Sequence, residues 1–251
     1  MKELFVFVVG IVVGSINSVG GGGMLLGFPV LLAAGLPAIV ANATGKLAVL
    51  PGQFTSAFGY HKFLRAIPRS YLLLLIPAAV GGAIGAELLK RTTWSQFESI
   101  VPYLVLTAVA LFAAEPMLER EFHQTKKRRK AVLPLWVMAV CMLIVSTYAG
   151  YFGAGFGFVM LSVFGLSELK SIHHMNLLKN LVGAATVLAT IVVLLPSALI
   201  NWKFGIIMAA GNGIGGYVTA RLAPKLPASA VRGIVICLGV LTAVYFLLHD
   251  N

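Results

Sequence analysis

Residues 41–60 read "ANATGKLAVLPGQFTSAFGY". The stretch is apolar or small almost throughout, yet Asn42, Thr44 and Lys46 stand on alternate positions near its start, with Gln53, Ser56 and Tyr60 beyond. A helix entering a bilayer near Pro37 would carry Lys46 about 13 Å inward at 1.5 Å per residue, close to the middle of the hydrocarbon. A lysine there costs about 2.5–3.5 kcal/mol on insertion scales, so it marks a function or a buried partner. A helix starting five residues later would instead let the ammonium snorkel to the interface.

The rest of the chain supports the bilayer reading. Its 251 residues are 59% hydrophobic and 11% charged, with a mean hydropathy of +0.94, where soluble domains carry about 25% charge. The expected fold class is an all-α polytopic integral membrane protein, with no room for a soluble catalytic or nucleotide-binding domain. Apolar runs fall at about 4–19, 24–40, 43–60, 70–89, 98–115, 131–149, 156–168, 176–196, 203–222 and 231–248. The formal charge of +11 is gathered in short clusters such as "HKFLRAIPR" (61–69) and "TKKRRK" (125–130). That is the pattern of cytoplasmic loops under the positive-inside rule, and no nucleic-acid partner is expected. Cys141 and Cys237 lie in apolar runs and read as small core residues. The N-terminal run reads as a first membrane segment, because no small-x-small cleavage site follows it.

The polar connection "EPMLEREFHQTKKRRK" (115–130) divides the runs five and five. This gives an N-terminal membrane repeat over 1–115, a basic cytoplasmic linker over 116–130 and a C-terminal membrane repeat over 131–251. Matches recur at an offset of 134: Gly21 and Gly23 with Gly155 and Gly157, Asn42 with Asn176, Gly81-Gly82 with Gly215-Gly216, and Ala86 with Ala220. "LTAV" at 106–109 returns at 241–244, one residue out of register. Two homologous repeats of about five segments each are expected. If all cross, the odd number inverts the second repeat and places 61–69, 115–130 and 221–232 inside and 196–202 outside. If 24–40 and 156–168 are re-entrant, the halves are parallel and 221–232 falls outside, against the positive-inside rule. The second segment of each half is short and Gly-flanked, and interrupted segments at equivalent positions of two halves point to a transporter's binding site.

Lys179 follows Asn176 by three residues as Lys46 follows Asn42 by four, so each half sets an Asn and a Lys on one helix face. Two cations near the midplane, with few carboxylates to neutralise them, would attract an anion. The clusters "SVGGGGMLLG" (18–27) and "YFGAGFGF" (151–158) open the interrupted segments. There Gly21, Gly22, Gly23, Gly153, Gly155 and Gly157 could offer backbone N–H groups at a positive helix end, or serve tight helix packing. Packing is the expected role of "GGAIG" (81–85) and "GNGIGG" (211–216). Gly211, Gly213 and Gly216 spell a dinucleotide motif that lacks its βαβ unit, and "ATGKL" lacks the earlier Gly and the Ser or Thr of a phosphate loop. Glu87 sits beside Lys90 and Arg91 and is expected in a local ion pair. His173 and His174 could carry a coupled proton, or lie in a surface loop. With no third ligand nearby they form no metal site. No cofactor and no enzymatic constellation is indicated.

On "ANATGKLAVLPGQFTSAFGYHKFL", "LLKNLVGA" and "INWKFGIIMAAGNGIGGYVTARLAPKLPASAVRGIV", the chain resembles the sulfite exporter TauE/SafE family, the 4-toluenesulfonate uptake permease-like group. The resemblance implies a multi-pass secondary permease for small, often sulfur-containing anions, built of two related halves in the bilayer of a bacterial inner membrane. Homo-oligomers are open to it. The expected function is export of a small anion such as sulfite or a sulfonate, by rocking of one half against the other. Its site would lie between the halves. Lys46 and Lys179 would give charge, the two glycine turns backbone donors, and Asn42, Thr44, Gln53, Asn176 and Asn180 hydrogen bonds. An anion channel with the same lining and a non-transporting membrane subunit are the alternatives.

Overall fold

The computed structural model describes residues 1–126, 133–169 and 171–222, the side chains of 111–126 excepted. The expected run 231–248, with Lys225, Arg232 and Cys237, lies outside the described residues, as does the linker from 127 to 130. All regular structure among the described residues is helical: α1 (Lys2–Val19), α2 (Met24–Ala33), α3 (Ala38–Gly59), α4 (Leu75–Arg91), α5 (Trp94–Lys126), α6 (Leu135–Tyr151), α7 (Phe156–Gly165), α8 (Ile172–Leu194) and α9 (Trp202–Leu222). Two 3-10 turns, His61–Ala66 and Arg69–Leu74, join α3 to α4. The chain is a polytopic membrane protein. Lys2–Val19, Arg69–Arg91 and Ile172–Leu194 are long and apolar enough to cross a bilayer, and side chains such as Val8, Ile84, Ile144, Val192 and Ile206 stand exposed on the periphery, as a lipid-facing surface requires.

Several segments differ in extent from the sequence reading. The third starts at Ala38 rather than 43, which places Lys46 ninth in a helix of 22 residues and leaves it buried at 5% exposure, not snorkelling. The fifth does not stop at 115 but runs as helix to Lys126, past Pro116. The runs 24–40 and 156–168 contain helices of 10 residues each, about 15 Å and half of a hydrocarbon core.

Those two short helices fold back on their predecessors. Lys2 Nζ donates to Ala34 O at 3.3 Å, so the end of α2 returns to the start of α1; Leu133 N donates to Leu166 O at 3.1 Å, so the end of α7 returns to the start of α6. Each pair is a hairpin with a glycine turn at its tip.

Contact registers fix the directions. Glu3 meets Lys203 and Ser15 meets the Gly215 carbonyl, so α1 and α9 run parallel. Thr44 meets Asn201 and Thr55 meets the Gly213 carbonyl, so α3 and α9 do too. Helix α3 ends beside the start of α8, with the Tyr60 and His173 rings 6.1 Å apart, so α3 and α8 run antiparallel. The two hairpins therefore open at opposite ends of the molecule, one at Lys2 and Lys203, the other at Lys62, Arg65 and Arg69.

Between helices the contact is backbone on backbone. A Cβ at Gly14 would collide with the Asn212 carbonyl, one at Gly85 with that of Thr147, and one at Gly215 with that of Ile11. Lipid gives little hydrophobic drive to helix association, so close approach of glycine faces supplies dispersion in its place. In "GNGIGG" the glycines separate by this test, since a Cβ at Gly213 would meet nothing nearer than Pro51 Cβ at 3.5 Å. Gly215→Ala is expected to cost about 1–3 kcal/mol by overpacking, and Gly213→Ala to be neutral or better, because alanine favours helix by about 1 kcal/mol over glycine. Thermal unfolding of the two variants in detergent measures the difference; equal losses would remove the packing argument.

Candidate functional site

The two hairpin tips meet in the middle of the molecule. A Cβ on Gly21 would stand 2.5 Å from Gly157 Cα, and one on Gly157 would stand 2.7 Å from Gly21 Cα, so neither turn tolerates a side chain there. The turns need glycine for a second reason: Gly21, Gly153 and Gly155 have φ of 128°, 84° and 79°, in the region that L side chains rarely enter. Helices α1 and α6 thus end inside the protein, each leaving terminal carbonyls without intrahelical donors.

The two lysines reach those carbonyls, each from the other hairpin's side. Lys179 of α8 donates to Asn17 O at 2.6 Å and to Ser18 O and Gly20 O at 3.2 Å, at the end of α1. Lys46 of α3 donates to Ala149 O at 2.7 Å and to Phe152 O, at the end of α6. Asn42, one turn before Lys46, donates Nδ2 to Tyr151 O at 2.7 Å, and Asn180 donates Nδ2 to Ser18 O at 3.4 Å. A helix C-terminus carries partial negative charge, which a cation favours. Each ammonium therefore caps a helix end, a role that the sequence reading did not give it.

The turns also differ from each other. Asn17 Oδ1 accepts from Gly23 N at 2.9 Å and from Gly22 N at 3.3 Å, so the first turn's expected anion donors already hold a side chain of this protein. The second turn enters α7 through Gly155 without a side-chain cap, and Lys46 Nζ would lie 2.7 Å from a Cβ on Gly153. Asn17 was not among the sequence candidates; a polar side chain in an apolar run, just ahead of a glycine break, is the signal that could have found it.

The remaining candidates are dispersed. Thr44 faces away from the turns and accepts from Asn201 N at 2.9 Å, at the start of α9. Gln53 lies two helical turns beyond Lys46 and faces α8, where a Cβ on Gly183 would be 3.0 Å from Gln53 Oε1. Asn176 is buried at 3% exposure. His173 and His174 lie half-buried at the start of α8, His173 stacked on Phe63 at 5.0 Å and His174 edge-on to it at 5.6 Å. Glu87 pairs with Lys90 at 3.1 Å and Arg91 at 2.9 Å, as the sequence suggests.

Charge sets the electrostatics of this centre. Among the described residues, the buried polar side chains include two lysines and no carboxylate; Glu3, Glu87, Glu98 and Glu168 are all at least partly exposed, at or near helix ends. Among the same residues no group of three His, Cys, Asp or Glu side chains could hold a metal ion.

A polytopic membrane protein with two half-length helices meeting at its centre, and two buried lysines beside them, has the architecture of a transporter. Residues 6–246 match the family described as "Sulfite exporter TauE/SafE". The chain belongs to that family and is a membrane transporter. It is 27% identical to a "Probable membrane transporter protein" of Haemophilus influenzae, over 92% of this chain and 88% of that one. It is 26% identical to "Probable membrane transporter protein ORF9" of Sinorhizobium sp, over 97% and 91%, and 27% identical to "Probable membrane transporter protein YfcA" of Escherichia coli K12, over 98% and 89%. No solved structure matches the chain.

Lys179 caps three carbonyls where Lys46 caps two, so Lys179→Met is expected to lower thermal stability more than Lys46→Met. Each orphaned buried acceptor costs on the order of 1–3 kcal/mol. A Lys46→Met protein that melts below Lys179→Met would show that capping does not set the stability of the tips.

Proposed function

We propose that the chain transports a small anion of the sulfite or sulfonate class, at the place where the two glycine turns meet. The observation that carries this reading is the pair of buried ammonium groups with no buried carboxylate among the described residues. Capping spreads each charge over carbonyl dipoles without cancelling it, and in a low-dielectric interior the residual field acts strongly on an anion. Lys46 directs two hydrogen bonds to α6, and an ammonium has three donors. Its third hydrogen and the backbone N–H groups entering α7 are the donors assigned to the anion.

The tertiary arrangement supports alternating access between two inverted halves. Helix α3 runs against α8, the hairpins open at opposite ends, and the 61–69 segment, Leu133 and Arg221 share one end while 196–202 lies at the other. Lys62, Arg65, Arg69 and Arg221 favour a cytoplasmic position for the first of these ends under the positive-inside rule, and the family resemblance favours a bacterial inner membrane. The resemblance to sulfite exporters favours export.

Labelled sulfite in proteoliposomes tests the reading, with taurine, sulfoacetate, acetate and chloride as competitors. Saturable flux, stimulated by sulfite on the far side and competed more by the sulfonates than by chloride, is the expected result. Folded Lys46→Met should lose it by roughly tenfold or more, the equivalent of about 1.4 kcal/mol of anion stabilisation. Flux that does not saturate would indicate a channel, and full flux in folded Lys46→Met would remove the lysine from the site.

A further inference from the structure

The seam between α3 and α8 has two unlike halves. Toward the Arg65 end it is lined by Gln53 and Tyr60 on α3 and by His173, Asn176 and Gly183 on α8. Toward the Lys2 end, the positions at the 134-residue offset are Val187 and Leu194 on α8 and Ile39, Asn42 and Val49 on α3. The four apolar residues of this second set are all buried, at 0–4% exposure, in one hydrophobic cluster, and its one polar member, Asn42, is bonded to Tyr151 O. The Lys2 half of the seam is therefore apolar and dry.

The Arg65 half is polar and unsaturated. Gln53 Oε1, Asn176 Oδ1 and Asn180 Oδ1 are buried without a hydrogen-bond partner among the described residues, and beside them the buried hydroxyls of Tyr60 and Ser18 meet each other. They belong together: Asn176 and Asn180 are one turn apart on α8, Asn180 reaches Ser18 O, the Ser18 hydroxyl meets that of Tyr60, and Gln53 faces Gly183 one turn further along. A buried polar group without a partner costs roughly 2–7 kcal/mol in an apolar medium. Three unpaired amide oxygens in one seam, against none among the corresponding apolar residues, indicate partners that arrive from outside the protein.

We propose that the Gln53-to-His173 half of the α3–α8 seam is the route by which a small oxyanion and its hydration water reach the lysines, and that it opens only at the Arg65 end. The Ser18–Tyr60 hydroxyl pair donates to the oxyanion the one hydrogen that it does not use internally, and the amide oxygens of Gln53, Asn176 and Asn180 accept from its water shell. The ring of Phe63, stacked on His173 and 6.4 Å from that of Tyr60, covers the mouth. The basic residues around that mouth raise the local anion concentration. The choice of an oxyanion rests on the function proposed above; the one-sided access does not.

Thiol labelling in sealed vesicles separates the two. With Cys141 and Cys237 replaced by Ala, Gln53→Cys and Ser18→Cys are treated with 2-sulfonatoethyl methanethiosulfonate, an anionic membrane-impermeant reagent, from either face; Lys62→Cys identifies the Arg65 face, and Val187→Cys and Val49→Cys report the dry half. Both seam cysteines are expected to react from the Arg65 face only, faster than the dry-half pair and faster than with the cationic trimethylammonium reagent, each by roughly tenfold or more. Reaction at Val187→Cys as fast as at Gln53→Cys, or at neither seam cysteine from either face, would overturn the proposal. One-sided labelling that sulfite does not slow supports the route and counts against the sulfite-class substrate.

Discussion

Two helices of this protein stop in the middle of a bilayer protein, and the carbonyls at those ends have to be satisfied. Water cannot do it within the hydrocarbon, and lipid offers no donor. The chain answers with a lysine at each end, delivered by a full-length helix on the opposite side of the molecule. The rest of the centre follows from that constraint: glycine in the turns so that the tips can touch, asparagines one turn or one residue from each lysine to take further carbonyls, and a core depleted of carboxylates that would draw the ammonium groups away.

The arrangement ties the two sides to each other. Lys46 holds the α6 hairpin while standing on α3, and Lys179 holds the α1 hairpin while standing on α8. Any motion of one side against the other must carry these contacts along or exchange them, because an abandoned carbonyl or a bare ammonium in the interior is costly. The glycine-lined contacts among α1, α3 and α9, and between α4 and α6, are of another kind. They have little side-chain interdigitation to break, since a Cβ at most of these glycines would strike backbone, so they hold groups of helices together as units.

The polar inventory is uneven in a way that matters for transport. On one half of the α3–α8 seam the facing positions are apolar except for Asn42, and on the other several buried amide oxygens have no partner among the described residues. The apolar half packs as a protein core does, and the polar half keeps buried acceptors of the kind that a protein core normally pairs.

The sequence determined the membrane class, the helical content and the short glycine-flanked segments, because hydropathy, charge placement and glycine clustering are local properties that the bilayer enforces run by run. The sequence also separates Thr44 from Asn42 and Lys46: it is two residues, or about 200°, from each around a helix, and it accepts from Asn201 N. The partners of the lysines were decided by the tertiary structure alone. Those partners are backbone carbonyls of Ala149 and Phe152, 103 and 106 residues away from Lys46, and of Asn17, Ser18 and Gly20. Every residue has a carbonyl, so nothing in the one-letter text distinguishes those that are left open until the helix that carries them is seen to end.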